Sequence, residues 1–306
     1  MSLYGFLRTF QGGGGAAHGG GGESPDLTGM LMHHLLDGSE LEFQVLGMGP
    51  VIHLPQWAPI HLGGLTIDLS PTKHVVFLFL AALLCLAVFI PVAKALTTKY
   101  PGRAPRGVSN ALEALILYFR DEVVRRNIGH GADAYTGYIL TLFFFILFMN
   151  LLGIIPFGAT ATGNFMVTGA LAFVTLVVVE LSGMKALGFQ GYMRTIFYVP
   201  HGLHPVMAAV MLVILTPVEL MGKIAKPFAL MLRLFANMMA GHTLVLSLLG
   251  MIFLFATIGP FRWGIAGASI GMVWGIMILE VFVAFLQAYI FAMLTAVFVG
   301  LIRHAH

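Results

Sequence analysis

Residues 206–258, VMAAVMLVILTPVELMGKIAKPFALMLRLFANMMAGHTLVLSLLGMIFLFATI, are apolar along nearly their whole length. Pro217, Pro227 and a few charged side chains interrupt them. As a helix this stretch would measure about 80 Å, although a bilayer core of about 30 Å needs only about 20 residues. It therefore predicts either a hairpin of two membrane spans or one long helix, with kinks at the prolines, that crosses the bilayer at a strong tilt.

Further apolar runs lie on both sides of this stretch. Each is long enough to cross a bilayer as a helix, and they cover residues 75–93, 138–155, 166–184 and 263–302. The last run, at about 60 Å as a helix, is also longer than one upright span requires. Two overlong neighbours predict a tilted helical pair in the C-terminal half, at about 203–258 and 263–303.

The composition agrees with a membrane protein. Of the 306 residues, 58% are hydrophobic and 9% are charged, whereas a soluble domain has about 25% charged residues. The formal net charge of +3 comes from basic residues beside apolar runs and does not indicate a nucleic-acid partner. The single cysteine, Cys85, excludes an intramolecular disulfide. The sequence predicts an all-α integral membrane protein with about five membrane helices.

A segment of mixed character separates the first two apolar runs. Leu112, Leu115, Ile116 and Phe119 recur there at helical spacing, while charged side chains occupy other positions. This pattern is typical of an amphipathic helix that lies on the membrane surface or packs against a partner. We predict such a surface helix at about 104–128.

Lysine and arginine are concentrated in two of the connections between the predicted spans. The connections after the first and third spans carry them, whereas the connection after the second carries none. The positive-inside rule places the two basic connections, including the surface helix, on the cytoplasmic side. Five crossings then leave the N-terminus outside and the C-terminus in the cytoplasm.

Residues 1–72 precede the first span and contain two glycine runs and several histidines, which makes them an extracytoplasmic segment in this topology. Imidazole groups can bind zinc or copper, but these histidines have neither cysteine companions nor a regular ligand spacing. They are His18, His33, His34, His53 and His61. The sequence favours a disordered or loosely folded tail before a membrane domain at 73–306, and it predicts no metal or cofactor.

Ionisable side chains within membrane spans are costly and usually face a partner or a water-filled cavity. Four lie within the predicted spans, namely Glu219, Arg233, His242 and Glu280. A guanidinium stays protonated when buried, so Arg233 requires an anion. That anion belongs either to another span of this chain, as a structural ion pair, or to a functional partner, which the sequence favours.

His242 and Glu280 form a candidate proton route, because a carboxylate and an imidazole on adjacent spans can exchange protons near neutral pH. Alone, His242 could equally be a hydrogen-bonded core histidine. Gln287 lies two helical turns after Glu280 on the same face, and Asn237 lies about 40° from Arg233 on a helical wheel.

Glu219 lies about 40° from Arg233 on the other side of the wheel, and His242 lies about 180° away. This displacement around one long helix predicts two separate hydrated pathways that meet near Arg233. Lys223 and Lys226 either pair with Glu219 or contact lipid headgroups.

Residues 231–242, MLRLFANMMAGH, resemble the signature of subunit a of the F-type ATP synthase. Shorter matches accompany them: NLLGIIP at 150–156, Lys226-Pro227, and LQAYIF at 286–291. The resemblance covers about residues 70–306. It implies a proton-channel stator in the bacterial inner membrane, beside a ring of c subunits. The b-subunit peripheral stalk and the remainder of the rotary ATP synthase are the other implied partners.

The resemblance also implies roles for single residues. Arg233 would face the carboxylates of the c-ring and prevent protons from leaking between two offset half-channels. Gln287 would lie beside Arg233. Glu219 would line the cytoplasmic half-channel.

The outer half-channel would be lined by Asn237, His242 and Glu280. Many bacterial relatives have an acid at the position of His242 and a histidine at the position of Glu280. In this chain the order is exchanged, as in mitochondrial relatives.

Two other classes of membrane protein carry polar groups within their spans. A secondary transporter surrounds a midplane site with broken helices and predicts an internal repeat, but the two halves of this chain show no self-similarity. A haem-bearing anchor needs paired axial histidines within spans, and only His242 lies deep in one. No GxxxxGK motif is present, so nucleotide chemistry would belong to another subunit of the complex. The secondary transporter is the alternative function.

Overall fold

The computed structural model describes residues 40–42, 51–57, 60–62, 65–67, 70–99, 105–155, 160–197, 204–255 and 261–304. Most of the predicted segment 1–72, including His18, His33 and His34, lies outside these ranges. Its described parts contain two antiparallel strand pairs that the sequence analysis did not predict. They are β1 (Glu40–Glu42) with β2 (Val51–His53), and β3 (Ile60–Leu62) with β4 (Leu65–Ile67).

Helices form most of the remaining described chain. In order they are α1 (Lys73–Lys94), α2 (Val108–Tyr118), α3 (Arg126–Ile128), α4 (Asp133–Ile154), α5 (Phe165–Ile196), α6 (Pro205–Leu254) and α7 (Phe261–Arg303). Within the described ranges, five of them are long and apolar enough to cross a membrane, namely α1, α4, α5, α6 and α7. The prediction of an all-α membrane protein with five membrane helices is confirmed.

The long apolar stretch forms the single helix α6 rather than a hairpin. Pro217 and Pro227 both lie inside this helix. Each proline removes one backbone hydrogen bond, but it does not supply the polar turn that would reverse the chain. In an apolar solvent a helix keeps its remaining backbone N–H and C=O groups hydrogen-bonded to each other, whereas an open loop would leave such groups without partners. Of the two alternatives that the sequence left open, the hairpin is therefore wrong.

Helix α5 extends to Ile196, twelve residues beyond the predicted end at 184. Its backbone leaves the helical conformation at Gly188, where φ is 71° and ψ is 167°. A positive φ favours glycine, since a side chain there would be strained. The kink allows Tyr192, in the final part of α5, to donate a hydrogen bond to Glu180 before the kink.

The predicted surface helix at 104–128 is described from residue 105 onward and is helical from Val108 to Ile128. Gly107 precedes it with φ 69°, and a π-helical segment, Phe119–Arg125, joins α2 to α3. Phe119, Val123, Val124 and Ile128 are buried, whereas no residue of α2 itself is. The apolar face that the sequence predicted is therefore covered only toward its C-terminal end.

The chain divides into two compact units. The first unit comprises Met1–Leu80, Leu152–Ala161 and Met239–Val281. The second unit comprises Ala81–Leu151, Thr162–Met238 and Phe282–His306. The candidate residues are therefore distributed over both units.

An aromatic cluster forms the centre of the second unit. The ring of Phe119 lies 4.4 Å from that of Phe143 and 5.8 Å from that of Tyr289, measured between centroids. Such tilted and edge-on contacts stabilise aromatic pairs beyond their burial alone. The cluster joins the surface helix to α4 and α7. Gly300 in α7 lies against the backbone oxygen of Asn127, where a Cβ atom would overlap it.

Candidate functional site

Arg233 lies on the exposed side of α6 in the second unit. Leu230 and Leu234, about 60° and 100° from Arg233 around the helix, are buried at 3% and 1% exposure, so the packing of that face directs the guanidinium away from it. Asn237, one turn further along, lies on the same exposed side. Among the described carboxylates of this unit, none forms an ion pair with Arg233. The structural ion pair that the sequence left open is therefore not formed there.

Gln287 of α7 contacts the backbone beside this arginine. Its side chain is buried, and its Nε2 donates a hydrogen bond to the Arg233 carbonyl oxygen at 3.4 Å. The neighbouring Ala284 and Ala288 are also buried. Small residues allow membrane helices to approach closely. The sequence predicted that Gln287 lies beside Arg233. In the structure the two residues contact each other through the Arg233 carbonyl oxygen and not through its guanidinium.

Asn150, in the NLLGIIP motif, also binds α7. Its Nδ2 donates to the Ala284 carbonyl oxygen at 3.4 Å, and its Oδ1 accepts a hydrogen bond from Thr162 at 2.8 Å. Asn150 and Thr162 are both fully buried. Because buried amides require partners, this arrangement accounts for a polar residue near the end of an apolar helix.

Glu219 lies in the wall of a cavity of about 110 Å³ in the second unit. Lys223 lies in the same wall, and its Nζ is 3.2 Å from Glu180 Oε2. It also lies 4.3 Å from the centre of the Tyr192 ring, which gives a cation–π contact. The sequence predicted that Lys223 pairs with Glu219 or contacts lipid headgroups. In the structure Glu180 is the ion-pair partner of Lys223.

Glu280 of α7 lies in the first unit and is 8% exposed. Its Oε1 is buried and has no hydrogen-bond partner among the described residues. The carboxyl group lies against Gly241 of α6, where an added Cβ would overlap Oε1 and come within 2.8 Å of Cδ. The sequence analysis missed Gly241, because only packing reveals that a glycine makes room for the acid.

His242 follows Gly241 and forms a hydrogen bond through Nε2 with the hydroxyl group of Thr160. No hydrogen bond joins His242 directly to Glu280 in the described structure. The carbonyl oxygen of the same Thr160 accepts a hydrogen bond of 3.0 Å from Nδ1 of His74, at the start of α1. Neither His74 nor Thr160 was predicted from the sequence. A histidine at the end of a span and a threonine in an uncharged loop form no recognisable sequence pattern.

Gly153 of the NLLGIIP motif lies directly against the side chain of Thr160. A Cβ atom at Gly153 would overlap the Thr160 hydroxyl and come within 2.7 Å of its Cβ. The glycine thus permits the threonine to occupy its position beside His242. In the described part of the chain, no group of three or more His, Cys, Asp or Glu side chains is close enough to hold a metal ion.

Charged side chains outside the membrane helices form a local network after the surface helix. Arg125 donates from Nε to Asp133 Oδ1 at 3.1 Å, and Arg120 donates to the same oxygen at 3.1 Å. The hydrogen bond that Arg125 donates to Asp133 raises the pKa of its guanidinium, which therefore stays charged. The network is exposed and fixes the connection into α4.

Comparison with known proteins shows the family to which this chain belongs. Residues 75–300 match the family described as ATP synthase A chain. The chain is 42% identical to ATP synthase subunit a of Chloroherpeton thalassium over 270 residues, 88% of this chain and 75% of the relative.

Two other relatives lie at a similar distance. ATP synthase subunit a 2 of Chlorobaculum tepidum is 41% identical over 89% of this chain and 72% of the relative. ATP synthase subunit a of Anaeromyxobacter dehalogenans is 40% identical over 92% of this chain and 73% of the relative. With a family match over most of its length and relatives at this identity, the chain belongs to the ATP synthase A chain family, as the motif around Arg233 predicted.

Proposed function

We propose that this chain is the proton-channel stator subunit of a rotary ATP synthase. In this role Arg233 faces the carboxylates of the c-ring. Glu219 lines a cytoplasmic half-channel, and an outer half-channel is lined by Asn237, His242 and Glu280. Gln287 positions the backbone beside Arg233. The chain is the ion-translocating part of an enzyme complex whose nucleotide chemistry belongs to other subunits.

The observation that carries this proposal is the environment of Arg233. An arginine in a membrane helix remains charged and requires an anion. In its own unit Arg233 is exposed and forms no ion pair with a described carboxylate. A carboxylate on a partner that moves past this surface would complete the site. The fixed charge then favours the ionised carboxylate and opposes direct passage of a proton past it.

The surroundings of Glu219 and Glu280 support the two half-channels. Glu219 opens onto a cavity that also contains the polar groups of Lys223 and Thr195. Glu280 is buried, with one carboxyl oxygen lacking a partner among the described residues. A buried carboxyl group without a fixed partner is suited to take up and release a proton.

The proposal includes the topology and the partners. The chain crosses the bacterial inner membrane five times with the N-terminus outside, and residues 1–72 form an extracytoplasmic segment. The surface helix lies at the cytoplasmic side, where the C-terminus also ends. α6 and α7, at 50 and 43 residues, are far longer than an upright span and are tilted along the c-ring. The b-subunit stalk and the remainder of the ATP synthase are the further partners.

The deciding experiment is ATP-driven proton pumping in inverted membrane vesicles that carry Arg233→Ala. We expect loss of pumping by about 100-fold or more, because a fixed electrostatic group in a site of low dielectric contributes on this scale. Assembly is measured in the same membranes by the amount of this chain that co-purifies with the c-ring.

Arg262→Ala is the matched control, since it removes an arginine at the N-terminal end of α7, against Trp263. It should pump as the unmodified complex does. Normal pumping by an assembled Arg233→Ala complex would overturn the proposal. The secondary transporter would then be the better hypothesis.

A further inference from the structure

Lys223 follows Glu219 by four residues on α6, and both line the cavity of about 110 Å³ in the second unit. A glutamate one helical turn before a lysine is the order in which such side chains pair best on a helix. In the structure this pair does not form, and Glu219 belongs to none of the ion pairs among the described residues of its unit. Another element must therefore hold the ammonium group of Lys223.

Three contacts direct that ammonium group toward α5. The Nζ atom of Lys223 donates one hydrogen bond to Glu180 Oε2 and another to the hydroxyl oxygen of Tyr192, both at 3.2 Å. It also lies 4.3 Å from the centre of the Tyr192 ring. The side chains of Lys223 and Glu180 are 11% and 19% exposed, so water competes only weakly with these contacts.

Tyr192 reaches this ion pair from beyond the kink in α5. The non-helical backbone at Gly188 separates Tyr192 from Glu180. The tyrosine hydroxyl group accepts a hydrogen bond from Lys223 and donates one to the same Oε2 of Glu180. A hydroxyl group can donate and accept at once. Each of the three side chains is therefore hydrogen-bonded to the other two.

The other charged groups around Glu219 do not replace this arrangement. Within the described part of the unit, four titratable side chains line the cavity, namely Glu180 from α5 and Glu219, Lys223 and Lys226 from α6. α7 contributes apolar side chains to its wall, which are Phe298, Leu301 and Ile302. The Nζ atom of Lys226 lies 5.6 Å from the centre of the Phe298 ring. Lys223 is thus the lysine of this cavity that a carboxylate holds away from Glu219.

We propose that Glu180 is a positioning residue of the cytoplasmic half-channel. Together with Tyr192 it holds Lys223 away from Glu219 and so leaves Glu219 open to proton exchange. The inference rests on the proposed function, in which Glu219 lines that half-channel. An ammonium group within about 4–6 Å of a carboxylate favours the ionised form of that carboxylate. If Lys223 paired with Glu219, Glu219 would take up a proton only at a lower pH, whereas a proton-transfer group works best when it titrates near the operating pH.

Glu180→Gln tests the proposal, because it keeps the shape of the side chain and removes the charge that holds Lys223. ATP-driven pumping in inverted vesicles is measured against the pH of the medium, which contacts the cytoplasmic side. The rate is expressed per assembled complex, as determined by co-purification with the c-ring. We expect the alkaline limb of the pH profile to move lower by about one pH unit, since Lys223 becomes free to pair with Glu219. At a fixed pH on that limb, pumping should be about tenfold slower.

A double variant distinguishes positioning from a direct role of Glu180. Lys223→Met in the Glu180→Gln background removes the cation that would move to Glu219. The alkaline limb should then return to its unmodified position. A double variant displaced as far as Glu180→Gln would mean that Glu180 carries protons itself or serves only packing, and it would overturn the proposal.

Tyr192→Phe weakens the same contacts by a smaller change, since it keeps the ring beside Lys223 and removes the hydroxyl group. We expect its alkaline limb to move in the same direction as that of Glu180→Gln, but less far. Unmodified profiles in both variants would overturn the proposal, and Tyr192→Phe decides alone if Glu180→Gln does not assemble.

Glu122→Gln is the matched control. It removes the carboxylate from an exposed ion pair with Arg126 outside the cavity. Its pH profile should be that of the unmodified complex. A displacement as large as that of Glu180→Gln would show that any lost ion pair moves the profile, and the positioning role would be wrong.

Arg233→Ala and Glu219→Gln in the same assay separate this inference from the proposed function. If both abolish pumping while Glu180→Gln has an unmodified profile, only the inference about Glu180 fails. Normal pumping by Glu219→Gln alone would also remove the inference, because Glu219 would then not exchange the proton. Normal pumping by both variants would remove the proposed function and the inference together.

Discussion

Lys223 and Arg233 are two cations on the same helix and in the same unit, yet their surroundings are opposite in character. The side chain of Lys223 is 11% exposed, forms an ion pair with Glu180 and lies over the ring of Tyr192. Arg233 is exposed and forms no ion pair with a described carboxylate of its unit. Lys223 has an ion-pair partner within its unit, whereas Arg233 is exposed on the surface of that unit.

This difference separates structural from functional charge within apolar helices. A buried cation with a carboxylate partner contributes to the packing of α5 on α6, and its loss would leave the carboxylate unpaired. An exposed cation such as Arg233 forms no such ion pair in its unit, and in the proposed function the c-ring supplies its anion. The following predictions test that distinction, from the largest effect to the smallest.

The largest effect should come from Arg233→Gln, which removes the charge and keeps a polar side chain. We expect proton pumping to fall by about 100-fold or more. The stability of the purified complex should change by less than about 0.5 kcal/mol, since Arg233 is exposed and forms no ion pair with a described carboxylate of its unit. Pumping assays and thermal release of this chain from the complex measure the two quantities. A large loss of stability would contradict the distinction.

The exchange of His242 and Glu280 extends the comparison to Glu280, whose Oε1 has no hydrogen-bond partner among the described residues. His242→Glu and Glu280→His should each reduce pumping by about 100-fold. The double variant restores one acid and one imidazole, so it should pump about tenfold faster than either single variant if the two groups interact. A double variant as inactive as both single variants would exclude a direct interaction.

Lys223→Met tests the structural member of the comparison. The variant leaves Glu180, whose side chain is 19% exposed, without its cation. We expect a loss of about 2 kcal/mol in stability, below the full cost of an unpaired buried charge because some water reaches the site. Thermal release from the purified complex measures this loss. Lys223→Met together with Glu180→Gln should recover most of it, and no recovery would mean that the ion pair is not its cause.

Gly241→Ala tests whether the space beside Glu280 matters. The added methyl group would overlap the carboxyl group, so Glu280 must move and pumping should fall by about fivefold to thirtyfold, the loss for a displacement that costs about 1–2 kcal/mol. Gly222→Ala on the same helix is the matched control, since nothing lies within 4 Å of the added atom. Equal pumping by both variants would show that the close contact between Gly241 and Glu280 does not affect proton pumping.

The smallest effect should come from Arg126→Ala. Arg126 forms an exposed ion pair with Glu122 at 3.2 Å, with side-chain exposures of 76% and 56%. Exposed pairs of this kind contribute about 0.3–0.5 kcal/mol. The thermal release temperature should therefore change little, and a loss as large as that of Lys223→Met would mean that exposure does not distinguish the two ion pairs.

Much of the fold followed from the sequence because the bilayer imposes simple demands. A membrane helix must be long, apolar and internally hydrogen-bonded, and these demands located α1, α4, α6 and α7 within a few residues. The end of α5 was missed, since the basic residues after 184 were assigned to a connection, whereas the helix continues to Ile196 through a kink at Gly188. The strand pairs before α1 were missed because three-residue strands carry no periodicity.

The candidate site was only partly predictable for a related reason. Arg233, Glu219, His242 and Glu280 stand out because charges are rare within apolar runs. Their neighbours do not, since a glycine or a threonine is ordinary at almost any position. Gly241 and Thr160 gain their meaning only from what packs against them.

By itself the sequence determined that this is a five-helix membrane protein, that Arg233 is a charge within an apolar run and so needs an anion, and that the motif around it is that of the ATP synthase A chain family. Only the tertiary structure decided that Lys223 pairs with Glu180, 43 residues away, and that His74 reaches Thr160, 86 residues away. Length and apolarity act locally along the chain, so a sequence displays them. Pairing depends on which distant side chains the packed helices bring within 3 or 4 Å, a distance that no local pattern encodes.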